Sequence, residues 1–130
     1  MSGFGVGVDI IEVARIGRLV RNKRFLNRVF TEGEIAYCRK YKNSAQRFAV
    51  RFAAKEAVWK ALNGLERFHQ EVKRAGHKDI QVVNSPSGRP DVVLKGPLKL
   101  WAGKVSLSLS HTDSQAVAVA VIQELALRRR

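Results

Sequence analysis

The sequence predicts a single α+β domain in which a mainly antiparallel sheet packs against a long buried helix. Two patterns lead to this class. Helical periodicity dominates residues 12–62, whereas residues 80–122 hold alternating apolar segments separated by turn-forming residues. Helices early and paired strands late are typical of α+β domains. The length of 130 residues suits one domain, which we assign to residues 1–125, followed by a basic tail at residues 126–130.

The first predicted element is a strand from Phe4 to Ile11, and it contains an anomaly. Its larger apolar side chains share one face, and its small residues share the other face with Asp9. A carboxylate in an apolar strand either accepts structural hydrogen bonds, for example as the cap of a following helix, or binds a cation. Gly5 and Gly7 beside it leave open space on that face. The glycine pair is weak evidence for a dinucleotide site, because a third glycine and a Walker lysine are absent.

From Glu12 the pattern becomes helical and strongly basic, with apolar residues such as Ile16 set among arginines. A second helical signal begins at Thr31, where Glu34 three residues later completes a predicted capping box. This motif predicts a short helix that runs to about Tyr41.

A longer helix is predicted from Ser44 to Leu62. It is apolar on nearly all sides, as is typical of a buried helix, and its charged residues therefore need partners. Three basic residues recur every four positions and form a row of like charge: Arg47, Arg51 and Lys55. An anion with several charges would relieve their repulsion. The alternative is that the arginines are merely solvated and that Glu56 forms a surface ion pair with Lys60.

The second half of the chain predicts two pairs of strands. Residues 65–79 are polar and basic and predict a short helix or another ordered segment, in which neither histidine indicates a function. The strands cover residues 80–83, 91–95, 105–110 and 116–122, with a short helix within residues 96–103. The turn of the first pair contains Gly88-Arg89-Pro90, and that of the second begins at His111. Alternate serines before His111 share one face and could offer hydroxyl donors to an oxygen-rich ligand.

The charge balance favours an anionic partner. Lysine and arginine number 24 against 11 acidic residues, which gives a formal net charge of +13. Nucleic acid, a phosphorylated cofactor, an acidic protein or a membrane surface would each suit this charge.

No apolar run approaches the roughly 20 residues that a membrane helix needs, and the first residues do not resemble a secretory signal. Because Cys38 is the only cysteine, no internal disulfide can form. We therefore predict a soluble cytoplasmic protein.

Asp9, Glu56, the row of basic residues and the serine-lined turn are mutually consistent if the ligand is a phosphate ester with Mg²⁺. This ion prefers oxygen ligands, often one or two carboxylates together with substrate phosphates. The alternative class is a nucleic-acid-binding domain without catalysis, which the net charge and base-stacking by Trp59 and Trp101 would support. Against it, the aromatic residues fall largely on apolar faces, and no nucleic-acid-binding motif is present.

Three segments together resemble one known family. They are Gly5-Val6-Gly7-Val8-Asp9-Ile10-Ile11-Glu12-Val13 with Arg15-Ile16, then Arg51-Phe52-Ala53-Ala54-Lys55-Glu56-Ala57 with Lys60-Ala61, and Ser108-Leu109-Ser110-His111-Thr112. Their order and spacing are similar to those of the small bacterial holo-(acyl-carrier-protein) synthases, in the 4′-phosphopantetheinyl transferase superfamily. The resemblance extends from about Gly5 to Ile122 and implies the fold of that superfamily.

The resemblance implies transfer of the 4′-phosphopantetheine group from coenzyme A to a serine of apo acyl carrier protein, with release of adenosine 3′,5′-bisphosphate. It implies that Asp9 and Glu56 hold Mg²⁺ and that these two residues and Lys60 are catalytic. Our hypothesis is that the serine hydroxyl attacks the β-phosphorus, while a carboxylate accepts its proton directly or through a metal-bound water. Asp9 and Glu56 both remain candidates for that base.

Further contacts follow from the same resemblance. The residues expected to bind coenzyme A are Arg51, Lys55, Lys60, Gly88, Arg89, Pro90, Ser110 and His111. The residues expected to bind the acidic carrier protein are Arg15, Arg21, Arg24 and Phe25. The family also implies a homotrimer with each active site between subunits, a role in fatty acid and lipid biosynthesis, and neither a membrane nor a nucleic acid as partner. Whether the carrier belongs to fatty acid or secondary metabolism stays open.

Overall fold

The computed structural model describes residues 3–65 and 74–124. The predicted basic tail and residues 66–73 of the polar segment lie outside these ranges. In chain order the elements are β1 (Phe4–Glu12), α1 (Val13–Leu19), α2 (Lys23–Val29), α3 (Glu32–Arg39), α4 (Ser44–Asn63), β2 (Ile80–Asn84), β3 (Pro90–Leu94), β4 (Val105–His111) and β5 (Gln115–Gln123), with 3₁₀ turns at His77–Asp79 and Gly96–Trp101. The predicted α+β class is confirmed.

The strands form two antiparallel sheets. One has three strands in the order β1-β5-β4, and the other is the β2-β3 hairpin. In the first sheet, Asp9 pairs with Ala118 and His111 pairs with Ala116, so β5 separates these two residues. The predicted alternation of β1 is confirmed: Gly5, Gly7 and Ile11 are buried, whereas Val6, Val8 and Ile10 are exposed.

Helix α4 forms the centre of the core, as its all-round apolar character predicts. It packs against β1 and β5, whose inner face is built from small residues such as Ala118 and Ala120. A Cβ atom at Gly5 would collide with the backbone carbonyl of Ala61, and one at Gly7 would collide with that of Ala57. The space that these glycines leave is therefore filled by the backbone of α4, which corrects the expectation of open space beside Asp9.

The basic segment after β1 divides into two short helices, where the apolar pattern predicted a single helical stretch. The break occurs at Asn22, whose side-chain oxygen accepts hydrogen bonds from the backbone N–H groups of Arg24 and Phe25. An asparagine in this position satisfies the free donors at a helix start. The predicted capping box is confirmed, since Thr31 and Glu34 bond each other's backbone N–H at the start of α3.

The outer face of the three-stranded sheet exposes a row of large apolar side chains. Phe4, Val6, Val8 and Ile10 of β1 are between 54% and 67% exposed, and Val119 of β5 is 39% exposed. In the β4 register, the outward residues are serines: Ser106, Ser108 and Ser110. Exposed apolar patches of this kind mark surfaces that bind other molecules. None of the helices within the described residues is both long and apolar enough to cross a membrane.

The single cysteine is predicted to be chemically inert in the folded protein. Cys38 is fully buried, and burial raises the pKa of its thiol to about 12. At pH 8 roughly one thiol in ten thousand would therefore be ionised, and the thiolate is the reactive form. We expect a thiol reagent such as DTNB to leave the native protein unmodified at pH 8 and to react with one thiol per chain in denaturant. Rapid labelling of the native protein would contradict this burial.

Candidate functional site

Asp9 projects from the inner face of β1 toward α4. Its Oδ1 atom lies 3.1 Å from Nζ of Lys60, which also donates to the backbone carbonyl of Val8 at 3.1 Å. The other oxygen, Oδ2, is buried and has no hydrogen-bond partner within the described part of the chain. A buried carboxylate oxygen without a donor is costly. This atom is therefore available to a cation.

Glu56 lies on α4 one turn before Lys60. Its Oε2 atom lies 3.3 Å from Nε2 of His77, and because a carboxylate can only accept, Nε2 carries the proton in this contact. This hydrogen bond, helped by the charges of Lys60 and Arg15, holds the pKa of the Glu56 carboxyl below its ordinary value although burial opposes the shift. Glu56 is thus ionised at neutral pH. The alternative of a Glu56–Lys60 surface pair is not what the structure shows, because Lys60 bonds Asp9 and Glu56 bonds His77.

These two carboxylates form a donor set that suits Mg²⁺. Within residues 3–65 and 74–124, no group of three or more histidine, cysteine or acidic side chains could hold a metal ion. A protein cage for the ion is therefore absent from that part of the chain. Mg²⁺ does not need one, since it is commonly bound through one or two carboxylates, substrate phosphates and waters. The buried, unpartnered oxygen of Asp9 and the ionised Glu56 fit that pattern.

A cavity of about 360 Å³ opens directly beside Glu56. Trp59, Ala75 and Ile80 give it apolar walls, and the imidazole of His77 stands at its edge beside the carboxylate. A ligand that places anionic groups near Glu56 and Lys60 could therefore bury an apolar portion here. His77 gave no signal in the sequence, because its role depends on a contact between residues that are 21 positions apart.

Lys55 is fully buried, and its ammonium is already occupied. Nζ lies 2.8 Å from Oε1 of Glu34 and donates to the carbonyls of His77 at 2.9 Å and Ile80 at 2.7 Å. Burial lowers the pKa of this ammonium, and the Glu34 carboxylate opposes that shift. Because an ammonium has three N–H groups, none is left for a ligand. In this arrangement the role of Lys55 is structural, and no donor remains for the contact with coenzyme A that the resemblance implies.

The arginines of the same row also have partners within the chain. The guanidinium of Arg51 lies 4.0 Å from the ring centroid of Tyr37, and that of Arg47 lies 4.0 Å from the ring of Tyr41. These cation–π contacts relieve the like-charge row without an external anion. Arg51 is nevertheless buried, and its Nε atom has no partner among the described residues.

The other residues expected to bind coenzyme A lie apart from the carboxylates in the single chain. Ser110 and His111 are exposed at the end of β4, on the far side of β5 from Asp9. Gly88 and Arg89 belong to the β2-β3 turn, where Gly88 has a φ of 86°, and Pro90 is the first residue of β3. Arg89 and Pro90 border a cavity of about 290 Å³ that reaches Ser106 and Leu107 of β4.

The residues expected to bind the carrier protein lie along α1, α2 and the turn between them. Arg15, Arg21 and Arg24 are exposed, whereas Phe25 is half-buried and packs against the rings of Phe30 and Phe52. Arg15 is also close enough to Glu56 to lower its pKa. A groove of about 620 Å³ beside α1 is lined by three arginines, Arg18, Arg21 and Arg39.

The aromatic residues that could have stacked on bases are largely in the core. Trp101, Phe30 and Phe48 are at most 2% exposed, and Phe52 is 9% exposed. Stacking on single-stranded nucleic acid requires accessible ring faces. These side chains therefore do not support the alternative of a nucleic-acid-binding domain.

Comparisons with known proteins agree with this architecture. A sequence profile of the 4′-phosphopantetheinyl transferase superfamily matches residues 5–121. The chain is 43% identical over 131 residues to the holo-(acyl-carrier-protein) synthase of Geotalea daltonii, covering 93% of this chain and 98% of that protein. It is 41% identical over 127 residues to that of Clostridium kluyveri, covering 92% and 90%. The crystal structure of a holo-(acyl-carrier-protein) synthase from Bacillus anthracis in complex with CoA (3′,5′-ADP) is similar with a TM-score of 0.73 at 32% identity, covering 93% of this chain and 96% of that one.

Proposed function

This chain belongs to the holo-(acyl-carrier-protein) synthases of the 4′-phosphopantetheinyl transferase superfamily, and from that premise we propose that it transfers the 4′-phosphopantetheine group of coenzyme A to a serine of an acidic apo acyl carrier protein in a Mg²⁺-dependent reaction. The observation that carries the proposal is the pair of carboxylates beside Lys60: Asp9 with its unpartnered buried oxygen and the ionised Glu56.

The reaction exchanges one phosphorus–oxygen bond for another. The serine oxygen bonds to the β-phosphorus, the bond to the bridging diphosphate oxygen breaks, and adenosine 3′,5′-bisphosphate leaves. Mg²⁺, when bound by Asp9 and Glu56, supplies positive charge to the diphosphate oxygens. A carboxylate of this pair accepts the serine proton. Lys60 lies 3.1 Å from Asp9 with a side chain that is 55% exposed, so its ammonium can also offset charge on the diphosphate or the leaving group.

Coenzyme A would also need groups that recognise its adenosine phosphates and its arm. The buried Nε of Arg51 has no partner in the described residues, and Ser110 and His111 offer a hydroxyl and an imidazole. The Gly88-Arg89-Pro90 turn would bind near the adenosine end, where the cavity beside Arg89 lies. The apolar cavity beside Glu56 suits the uncharged part of the donor.

The direct test is incubation of the protein with coenzyme A, Mg²⁺ and an acidic apo acyl carrier protein. We expect the carrier to gain the mass of one phosphopantetheine group, read by mass spectrometry, and adenosine 3′,5′-bisphosphate to appear in equal amount. EDTA should stop the reaction, and added Mg²⁺ should restore it. A carrier of unchanged mass in the presence of all three components would refute the proposal.

A homotrimer would bring the separated parts of the site together. In one chain β5 stands between Asp9 and His111. The exposed apolar row of Phe4, Val6, Val8 and Ile10 is on the outer face of the same sheet as Ser110. Covering this face with neighbouring subunits would bury the apolar surface and bring another subunit next to the strands that carry Asp9 and His111.

A charge on this face should separate the subunits. Ile10 is 62% exposed in the single chain, and Ile10→Asp would bury an unpaired carboxylate in the assembly, which is costly. We expect light scattering after size exclusion to give three times the chain mass of 14.6 kDa for the wild type and the mass of one chain for the variant. Val93→Asp, at a 43% exposed strand position of the hairpin, is the matched control and should remain trimeric. A wild-type monomer would contradict the assembly.

The carrier would dock on the basic surface formed by α1 and α2. Arg15, Arg21 and Arg24 are exposed there, and the groove beside α1 adds Arg18 and Arg39. An acidic carrier would be attracted to this surface, mainly through a faster association that weakens with salt. Arg15 is the residue of this surface whose charge contributes to the lowered pKa of the Glu56 carboxyl.

Reversing the charge of Arg15 should impair use of the carrier more than use of coenzyme A. For Arg15→Glu we expect roughly a tenfold or larger rise in the KM for the carrier at low ionic strength, shrinking as salt is added. The KM for coenzyme A should change little. Lys99→Glu, an equal charge change at an exposed residue of the 3₁₀ turn Gly96–Trp101, serves as control. An unchanged KM for the carrier in Arg15→Glu would remove Arg15 from the docking surface.

A further inference from the structure

His77 is held from two sides by consecutive residues of α4. Lys55 donates to its backbone carbonyl at 2.9 Å, and Glu56 accepts from its Nε2 at 3.3 Å. A third contact fixes the plane of the imidazole, which stacks on the ring of Phe52 at a centroid distance of 5.8 Å and an angle of 14°. Both the backbone and the side chain of His77 are therefore restrained.

The turn that carries His77 is itself anchored to the core. The buried ammonium of Lys55 also bonds Ile80 and Glu34, and the second oxygen of Glu34 accepts from the backbone N–H of Val82 at 2.8 Å. At the other end of the turn, Asp79 accepts from the backbone N–H of Gly76 at 2.9 Å. Because the turn is anchored in this way, the imidazole of His77 can restrain a side chain that is hydrogen-bonded to it.

Glu56 is the side chain that this support restrains. It is partly exposed, with 34% of its side chain accessible, and it has several rotatable bonds. Its natural partner along the helix, Lys60, is bonded to Asp9 and to Val8 instead. The Glu56 carboxylate therefore depends on the hydrogen bond from His77 for its orientation.

We propose that His77 is a positioning residue for Glu56, holding Oε2 so that the carboxylate is already oriented when the metal ion and the diphosphate of coenzyme A arrive. This inference rests on the proposed function, because it takes Glu56 as a ligand in the transferase site. Partners that orient a metal-binding side chain commonly contribute about 10–100-fold to metal affinity or activity.

The chain offers variants that separate the hydrogen bond from the ring stacking. His77→Phe keeps a flat ring on Phe52 and the backbone carbonyl that Lys55 binds, but it cannot bond Glu56. His77→Gln keeps an N–H donor and loses the ring. Lys78→Gln changes an exposed neighbour in the same turn and is the control. The affinity for Mn²⁺ is measured on the full-length protein in the presence of coenzyme A. The EPR signal of free Mn²⁺ decreases as the ion binds, so this readout does not depend on turnover.

We expect His77→Phe to weaken Mn²⁺ binding and to raise the Mg²⁺ concentration needed for half-maximal transfer by about 10–100-fold. Its melting temperature should stay near the wild-type value. His77→Gln should recover much of the metal affinity, and Lys78→Gln should match the wild type.

Three other results would contradict the role of His77 or the proposed function. Wild-type metal affinity in His77→Phe would refute positioning while transfer by the wild type leaves the proposed function intact. Equal loss of affinity in both variants, together with a lowered melting temperature, would show that His77 acts only through stability. A wild type that transfers nothing and binds no Mn²⁺ would instead refute the proposed function and this inference with it.

Discussion

Asp9→Asn and Glu56→Gln should each lower kcat/KM for phosphopantetheine transfer by about 1000-fold, which corresponds to about 4 kcal/mol of transition-state stabilisation. Each change removes one negative charge but keeps the size and shape of the side chain. The ion would then lose one of its two protein ligands, and the serine would lose a candidate proton acceptor. The measurement is the time course of carrier modification by mass spectrometry at saturating coenzyme A.

The fold should survive both changes. The amide oxygen introduced in Asp9→Asn could still accept from Lys60, and the one introduced in Glu56→Gln could still accept from His77. Circular dichroism and the melting temperature should therefore remain close to those of the wild type. Glu32→Gln is the matched control, since it removes a carboxylate from an exposed position in the first turn of α3. Wild-type rates in either carboxylate variant would refute its assignment to the transferase site.

Lys55→Met should destabilise the protein by about 3–5 kcal/mol, the cost typical of breaking a buried ion pair by removing one partner. The change strands the Glu34 carboxylate, which is 2% exposed, and leaves the carbonyls of His77 and Ile80 without their donor. The free energy of unfolding is measured by urea titration of both proteins. The protein concentrations must be equal, because subunit association contributes to apparent stability.

Lys60→Met is the control for this experiment, because it removes a second lysine of the same helix, whose side chain is 55% exposed, from its ion pair with Asp9. Its effect on the free energy of unfolding should stay below about 1 kcal/mol. Combining Lys55→Met with Glu34→Gln should cost less than the sum of the two single changes, since the stranded charge is then absent. Equal destabilisation by the two lysine variants would contradict the structural role of Lys55.

Local patterns in the sequence are sufficient to predict most helices and strands of the fold. The alternation of β1, the capping box at Thr31 and the all-round apolar pattern of α4 each depend on residues within a few positions of one another. The break between α1 and α2 was missed, although Asn22 is a frequent helix cap.

The interactions of the site were harder to predict because they join distant segments. The row of basic residues on α4 suggested an external anion. Within the chain, however, its three charged side chains contact Tyr37, Tyr41 and Glu34. Glu34 was recognised as a cap, yet its bonds to Lys55 and Val82 span 21 and 48 positions. Periodicity cannot show which helix faces provide partners for each other. His77 was overlooked for the same reason.

The direct backbone contact between β1 and α4 has a consequence for how the two acidic residues are spaced. Gly5 and Gly7 remove the layer of side chains that normally separates a strand from a helix. At these two glycines the strand bearing Asp9 therefore lies directly against the backbone of the helix bearing Glu56. One added methyl group at either glycine would therefore force the two elements apart.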